Sequence, residues 1–189
     1  MIVIFDGPQL AGKTTLIQEL CKKKPGKVIK FPFAQVSKEF EIDDNAGLKG
    51  LQLGKDLGML EILTKVGLKD KNIYIDRGFL SSAYYSLAKN RMDISEVDQF
   101  ISRVGQLIVN SKNLIKVVWV SPVDPFPQTR EKKDGFDGLD AGGPDTLSES
   151  YIYQAAEDQL GKENFIFFEN NFLDPLKETV NSLIEKLNF

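Results

Sequence analysis

The residues best suited to chemistry lie near the start of the chain, in the segment Gly7-Pro8-Gln9-Leu10-Ala11-Gly12-Lys13-Thr14. The segment fits the pattern G-x-x-x-x-G-K-[ST], in which glycines let the backbone wrap a polyphosphate and point its N–H groups at the oxygens. We expect Lys13, at the exposed mouth of this loop, to reach the β- and γ-phosphates, and the Thr14 hydroxyl to ligate Mg²⁺. The residues of the predicted nucleoside triphosphate site are Gly7, Pro8, Gln9, Leu10, Ala11, Gly12, Lys13, Thr14 and Thr15.

A second pair of chemically suitable side chains, Asp76 and Arg77, follows the apolar run Ile73-Tyr74-Ile75. An acid at the end of a buried strand is well placed to hold the water shell of a magnesium ion. The arginine beside it can clamp a second phosphate with two parallel hydrogen bonds. The same pair could instead cap the helix that follows. The first interpretation assigns Asp76 to a metal site and Arg77 to catalysis and acceptor binding.

The composition excludes several other kinds of site. The chain has 189 residues and no histidine, which rules out a catalytic His triad and any His-ligated metal. Its single cysteine excludes an internal disulfide and a multi-cysteine zinc site, and is typical of a reducing compartment. The net charge of −3 argues against a nucleic-acid binder. No apolar run reaches the ~18 residues of a membrane span, so we expect a cytoplasmic protein. From the 7–14 loop we expect its partners to be small-molecule nucleotides, and a homodimer is left open.

Alternating strands and helices must position these groups. Short apolar runs rich in β-branched residues predict five strands, at 2–5, 28–31, 73–76, 115–120 and 165–168. Helical spacing of apolar residues predicts helices at 13–24, 51–66, 81–88, 94–110, 147–160 and 175–187. Helices between successive strands mean a parallel sheet with helices on both faces. With the loop directly after the first strand, this predicts an α/β fold of the P-loop NTPase kind, in a single domain over 1–189.

The segment from about residue 121 to 150 breaks this alternation. It holds four of the eight prolines in the chain, together with Arg130, Lys132 and Lys133. A stretch of that length without a periodic pattern is typical of a functional lid, although a solvated surface loop has the same character. As a lid, it would close over the bound phosphates and exclude water.

The order and spacing of these motifs resemble the thymidylate kinase family, whose members transfer the γ-phosphate of ATP to dTMP. The resemblance touches most of the chain, and implies that Asp76, Arg77 and Ser81 bind the acceptor phosphate and sugar. It also implies that Tyr84 or Tyr85 lies near the base. The features that carry it are the 7–14 loop, Asp76-Arg77 with Ser81 and Ser82 downstream, Phe31-Pro32 after the second strand, and the cationic segment from Arg130 to Lys133.

The chain departs from the family pattern at several positions. Gln9 stands where the family usually has an aspartate that is used near the acceptor sugar. Leu10 occupies a position that is an arginine in some members, and its apolar side chain resembles the members that use a lid arginine instead. The resemblance therefore implies that Arg130 is catalytic, with Lys132 or Lys133 as alternatives. The family also places an arginine beside the acceptor base. Residues 51–60 of this chain contain no matching arginine, and Lys55 is the cation nearest to that position.

The residues after the second strand bear on the chemistry of the acceptor. A phosphate monoester is already an anion and needs cations rather than a general base, whereas a hydroxyl acceptor needs a carboxylate to take its proton. The segment Lys30-Phe31-Pro32-Phe33 offers a cation and no acid, which leaves Asp6 as the nearby candidate base. The residues predicted to bind the acceptor are Asp6, Lys30, Phe33, Arg77, Ser81, Tyr84 and Tyr85.

The sequence therefore predicts an ATP- and Mg²⁺-dependent kinase that phosphorylates a deoxynucleoside monophosphate, with dTMP the acceptor that the resemblance implies. Three alternatives stay open: a deoxynucleoside kinase, a kinase acting on DNA or on a modified base, and a nucleotide-binding module without activity. The charge of −3 argues against the nucleic-acid kinase. Lys13-Thr14 together with Asp76-Arg77 argues against an inactive module.

Overall fold

The computed structural model describes residues 1–31, 33–65, 71–123 and 146–189 of the chain. A sheet lies at the centre of this part, built of β1 (Ile2–Asp6), β2 (Gly26–Lys30), β3 (Asn72–Asp76), β4 (Ile115–Pro122) and β5 (Phe165–Asn170). The strands are all parallel and lie in the order β2-β3-β1-β4-β5. The predicted five-stranded parallel sheet is therefore confirmed, with β1 as the middle strand.

Helices cover both faces of this sheet, as predicted. They are α1 (Lys13–Lys23), α2 (Phe33–Glu39), α3 (Asn45–Lys65), α4 (Phe79–Ala88), α5 (Ile94–Val109), α6 (Thr146–Leu160) and α7 (Leu176–Leu187). Apolar residues of α1 and α7 form one core with Val3 and Phe5 of the middle strand. Apolar residues of α3, α4, α5 and α6 form the other core with Ile2 and Ile4. Alternate side chains of one buried strand therefore contribute to the two layers.

The carboxyl edge of the sheet is where the chemistry gathers. Parallel strands end at the same edge, so Asp6 at the end of β1 lies between the ends of β3 and β4. In the ladder, Phe5 is opposite Asp76 and Asp6 is opposite Trp119. The 7–14 loop and the Asp76-Arg77 pair, which are far apart in sequence, therefore leave the sheet side by side.

Residues 33–50 fold differently from the prediction, since the sequence pattern predicted no helix between residues 33 and 50. The structure contains α2 there, and α3 begins at Asn45. Glycines at positions 47, 50, 54 and 58 interrupt the apolar spacing, and glycine is a poor helix former. At the start of α3, the Gly47 N–H donates to Asp44 Oδ1 at 2.8 Å. The remaining stabilisation of the helix comes from the packing of its apolar face, including Leu60 and Leu63, in the core.

The segment predicted to be a lid is only partly described. The structure extends β4 to Pro122 and begins α6 at Thr146. Residues 124–145 lie outside the described part of the chain, and with them Arg130, Lys132 and Lys133. Within the described residues, no helix combines the length and the apolar character needed to cross a membrane.

Candidate active site

The 7–14 loop, hereafter the phosphate loop, joins β1 to α1 through backbone conformations that few residues adopt. Gly7 and Gly12 have φ of 128° and 86°. A Cβ at Gly7 would lie 2.2 Å from the carbonyl oxygen of Val120, and one at Gly12 would lie 2.4 Å from Nδ2 of Asn170. Both positions therefore need glycine for conformation and for space. The Asn170 amide also donates to the Ala11 carbonyl at 2.8 Å, which ties the loop to the end of β5.

Lys13 is buried in this loop, and the expectation that it stands at an exposed mouth is wrong. Its residue is 4% exposed, because Nζ folds back to donate to the carbonyl oxygens of Gly7 at 2.9 Å and Pro8 at 2.5 Å. Burial lowers the pKa of Lys13 to about 7, with the Arg77 charge acting in the same direction, while nearby carboxylates act against it. Phosphate oxygens at this position would replace the two carbonyls and favour the charged ammonium.

Thr14 and Asp76 form the arrangement expected of a magnesium site. The Thr14 hydroxyl donates to Asp76 Oδ2 at 2.7 Å, and Lys30 Nζ lies 4.0 Å from the same oxygen. Mg²⁺ prefers oxygen ligands and usually takes only one or two from protein, the rest coming from water and phosphate. Within the described ranges no group of three or more Asp, Glu, His or Cys side chains could hold a metal alone. A hydroxyl and a carboxylate in contact fit a nucleotide-bound Mg²⁺.

Arg77 turns the chain sharply after β3. It has φ of 72°, a left-handed conformation that costs energy for any residue with a side chain. Its N–H still donates to the Phe5 carbonyl at 3.0 Å, so the ladder holds the strained residue in place. The residue is exposed at the carboxyl edge of the sheet. Strain of this kind clusters at active sites and ligand clamps.

The Asp6 carboxylate is buried and occupied by backbone donors, which argues against its predicted role at the acceptor. Its buried carboxylate accepts the backbone N–H groups of Gly78 at 2.7 Å, Leu80 at 3.2 Å and Ser81 at 3.0 Å. These are orphan donors at the start of α4, and an anion there also complements the helix dipole. Asp6 is thus the cap of α4, so the alternative in which Asp76 and Arg77 cap this helix is wrong as well.

The predicted hydroxyl and aromatic residues of α4 separate into two groups. Tyr84 is 2% exposed and packs edge-on against Trp119, with ring centroids 6.0 Å apart, so its ring is not available to a base. Ser81 is also buried, and its hydroxyl lies 3.3 Å from the Gly7 nitrogen, where it supports the phosphate loop. Tyr85 differs from both. Its buried phenol oxygen has no hydrogen-bond partner among the described residues.

The surroundings of that phenol connect it to the site. Burial raises the pKa of Tyr85, while the Arg77 charge and the nearby Gln9 backbone act against the shift. The Arg77 charge and the Gln9 backbone are therefore near enough to act on the phenol. Lys30 is exposed at the end of the neighbouring strand, and Phe33 is half-buried at the start of α2. The structure thus brings Lys30, Asp76, Arg77 and Tyr85 to the β3 side of the loop.

Sequence reasoning missed a buried ion pair on α3. Lys55 Nζ lies 2.6 Å from Asp56 Oδ1, and the same ammonium lies 5.7 Å from the Phe31 ring centroid. Asp56 is completely buried, and neither of its oxygens has a partner of hydrogen-bond geometry in the described structure. Burial raises the pKa of Asp56 to about 6, although the Lys55 charge opposes the shift. The spacing of Gln52, Asp56 and Leu60 along one helix face is the signal that could have found it.

A buried carboxylate on the other side of the phosphate loop was missed as well. Glu149 lies in the first turn of α6 and is 8% exposed. Its Oε1 accepts the indole N–H of Trp119 at 3.0 Å and the hydroxyl of Ser121 at 2.8 Å. Glu149 lies where the predicted helix 147–160 overlaps the predicted lid segment, and nothing in that pattern marked its carboxylate as buried.

Comparisons with known proteins agree with the fold. No family profile and no curated protein sequence matches the chain. Among solved structures, a thymidylate kinase from Candida albicans has a TM-score of 0.63 at 15% identity, over 99% of this chain and 90% of that one. A deoxyadenosine kinase from M. mycoides has a TM-score of 0.56 at 18% identity, over 100% and 98%. A thymidylate kinase from Ehrlichia chaffeensis has a TM-score of 0.56 at 15% identity, over 100% and 98%. The chain therefore has the fold of the P-loop kinases.

Proposed function

We propose that this protein is a nucleoside monophosphate kinase that transfers the γ-phosphate of ATP to a deoxynucleoside monophosphate, with dTMP as the acceptor. The observation that carries the proposal is the placement of cations around the phosphate loop. Lys13 lies inside the loop, while Arg77 and Lys30 lie at the ends of β3 and β2, the two strands on one side of β1. Two anionic phosphates that must approach each other need positive charge beside each of them.

The acceptor side of the proposed site suits a phosphate better than a bare hydroxyl. Arg77 can bind two phosphate oxygens at once, and its strained backbone holds it at the sheet edge. The unpartnered phenol of Tyr85 lies near Arg77 and can donate to an acceptor oxygen. Lys30 lies on the same side, with its Nζ 4.0 Å from Asp76 Oδ2, while the role of Phe33 stays a prediction. The choice of dTMP rests on the sequence resemblance, which thymidylate kinases among the similar structures support.

The proposed mechanism gives protein groups little covalent work. Backbone N–H groups of the phosphate loop and Lys13 hold the donor phosphates, and Arg77 orients the acceptor phosphate for in-line attack. Thr14 and Asp76 would hold Mg²⁺, which neutralises charge on the transferring phosphate when it is bound. The catalytic role of Arg130 stays a prediction, because that residue lies outside the described part of the chain.

A deoxynucleoside kinase is the second candidate, and Asp56 is the observation that favours it. A hydroxyl acceptor needs a carboxylate with a pKa near the working pH. Asp6 is occupied by three backbone N–H groups, whereas burial gives Asp56 a pKa of about 6. Asp56 is completely buried and ion-paired with Lys55, so it would have to move before it could accept a proton. We therefore place this function second.

An acceptor panel separates the two candidates. ADP release is followed with MgATP and, in turn, dTMP, dCMP, dAMP, dGMP and the four corresponding deoxynucleosides. A monophosphate kinase releases ADP with monophosphates, dTMP fastest, and gives no rate above background with nucleosides. Faster release with a nucleoside, abolished by Asp56→Asn, would establish the second candidate instead. The Lys13→Met variant is the control for contaminating kinases in both series.

A further inference from the structure

Glu149 is a buried carboxylate that the proposed mechanism does not use. It lies in the first turn of α6, and a single oxygen, Oε1, accepts both the Trp119 indole and the Ser121 hydroxyl. Trp119 is completely buried, so its N–H group needs an acceptor inside the protein. Glu149 therefore joins the start of α6 to the carboxyl end of β4 by two hydrogen bonds.

The two donors lie on either side of the residue that supports the phosphate loop. Trp119 and Ser121 flank Val120 and, two apart on a strand, point to the same face of the sheet. Gly7 packs so closely on Val120 that a Cβ there would lie 2.2 Å from the Val120 carbonyl oxygen. A shift at the end of β4 would therefore be transmitted to the first residue of the loop.

We propose that Glu149 is a positioning residue for the donor phosphates, which holds the end of β4 in the place against which Gly7 packs. The inference rests on the proposed function, since it deepens the account of the same nucleotide site. The inference predicts different effects on ATP and on the acceptor. The hydrogen bonds of Glu149 reach β4, while the proposed acceptor groups Arg77 and Lys30 follow β3 and β2 on the other side of β1. Loss of Glu149 should therefore weaken ATP and leave the acceptor unaffected.

The experiment compares Glu149→Ala with Glu149→Gln. The glutamine keeps an oxygen that can accept from both donors, whereas alanine removes it. ATP affinity is measured by calorimetry without acceptor, and KM values for ATP and for dTMP are measured in the ADP-release assay. We expect Glu149→Ala to weaken ATP about tenfold, a misplacement effect, with the acceptor KM changed less than about twofold. Glu149→Gln should stay within about twofold of the wild type in both.

Two further variants separate positioning from general loosening. Ser86→Ala removes a similar buried hydrogen bond, from its hydroxyl to Gln52 Oε1 at 3.0 Å, between α3 and α4. It should lower the melting temperature without weakening ATP. Trp119 is the only tryptophan of the chain, so its emission reports the indole contact directly. The emission should shift in Glu149→Ala and not in Glu149→Gln or Ser86→Ala.

Three results would overturn the inference. One is an unchanged ATP affinity in Glu149→Ala, and another is an equal loss in Ser86→Ala, which would show only global loosening. The third is a Glu149→Gln variant as weak as the alanine, which would mean that the charge and not the hydrogen bonds matters. Because ATP binding is measured without turnover, a protein that binds ATP and phosphorylates no acceptor would fail the proposed function while leaving this comparison decisive.

Discussion

In the proposed mechanism, Lys13 exchanges its hydrogen-bond partners when a nucleotide binds. In the free protein its ammonium donates to the carbonyls of Gly7 and Pro8, and burial lowers its pKa to about 7. At pH 8 most of the free protein therefore has a neutral Lys13, while bound phosphates favour the charged form and raise the pKa. Binding of ATP at pH 8 should take up close to one proton, and the uptake should disappear well below pH 7, where Lys13 is already charged.

Calorimetry in two buffers of different ionisation enthalpy measures that proton uptake. The terminal phosphate of ATP is already deprotonated at pH 8, so the ligand contributes little to the signal. Lys13→Met is the matched control, because methionine has an unbranched side chain of similar length but no titratable group. Equal heats in both buffers for the wild-type protein, or an uptake that survives in Lys13→Met, would contradict the assignment.

Asp56 gives a prediction about stability rather than activity. Its folded pKa of about 6 lies above the value of 3.8 for an exposed aspartate, so the folded protein keeps a proton that the unfolded chain releases. Stability should therefore fall as pH rises from about 4 to 6 and stay lower above that range. Asp56→Asn should remove this fall and raise the free energy of unfolding at pH 7.5 by on the order of 1 to 3 kcal/mol.

Urea denaturation at pH 4.5 and 7.5 tests this. The exposed Asp43, just before the same helix, gives the control variant Asp43→Asn, which should leave the difference between the two pH values unchanged. A less stable Asp56→Asn at pH 7.5 would show that the contact with Lys55 outweighs the cost of burying the charge.

At the scale of elements, the junction between β3 and α4 contains both the cap of a helix and the arginine proposed to bind the acceptor. Asp6 caps α4, and Arg77 is held in a left-handed conformation just before it. Replacing Arg77 by alanine should raise the acceptor KM at least about tenfold and slow transfer, while the affinity for ATP changes little, because the proposed partner is the second phosphate. Steady-state kinetics with each substrate varied in turn measures the split.

Arg77→Lys is the matched variant for this junction. It keeps the charge and loses the paired hydrogen bonds, so its acceptor KM should fall between those of wild type and alanine. If alanine instead weakens ATP and leaves the acceptor KM in place, Arg77 belongs to the donor side or to a structural pair.

The same elements show what sequence patterns can and cannot supply. The alternation of apolar strands and amphipathic helices predicted the sheet, and the G-x-x-x-x-G-K-T pattern predicted a loop between β1 and α1. The glycines of α3 hid its first turns, because local propensity there opposes the packing that stabilises the helix. The pairing of Asp6 with the start of α4 joins residues more than seventy positions apart, which no local pattern reports.

At the scale of the whole molecule, the strand order decides which predicted residues can act together. With β1 between β3 and β4, Asp76 and Thr14 meet on one side of the loop, and Trp119, Ser121 and Glu149 on the other. Sequence alone could propose Asp76 because it ends an apolar run. It could not tell Tyr85, whose phenol lies near the loop, from Tyr84, which packs on Trp119, since neighbouring helix positions differ only in the face they present.

Transfer of the γ-phosphate of ATP to a monophosphate is the central claim, and ³¹P NMR of a mixture of MgATP, dTMP and protein tests it most directly. We expect the ATP γ resonance to decrease to an equilibrium level while ADP and dTDP resonances grow in equal amounts, and Lys13→Met to leave the spectrum unchanged. Conversion of ATP to inorganic phosphate at a rate that dTMP does not affect, or phosphorylation of thymidine in place of dTMP, would contradict it.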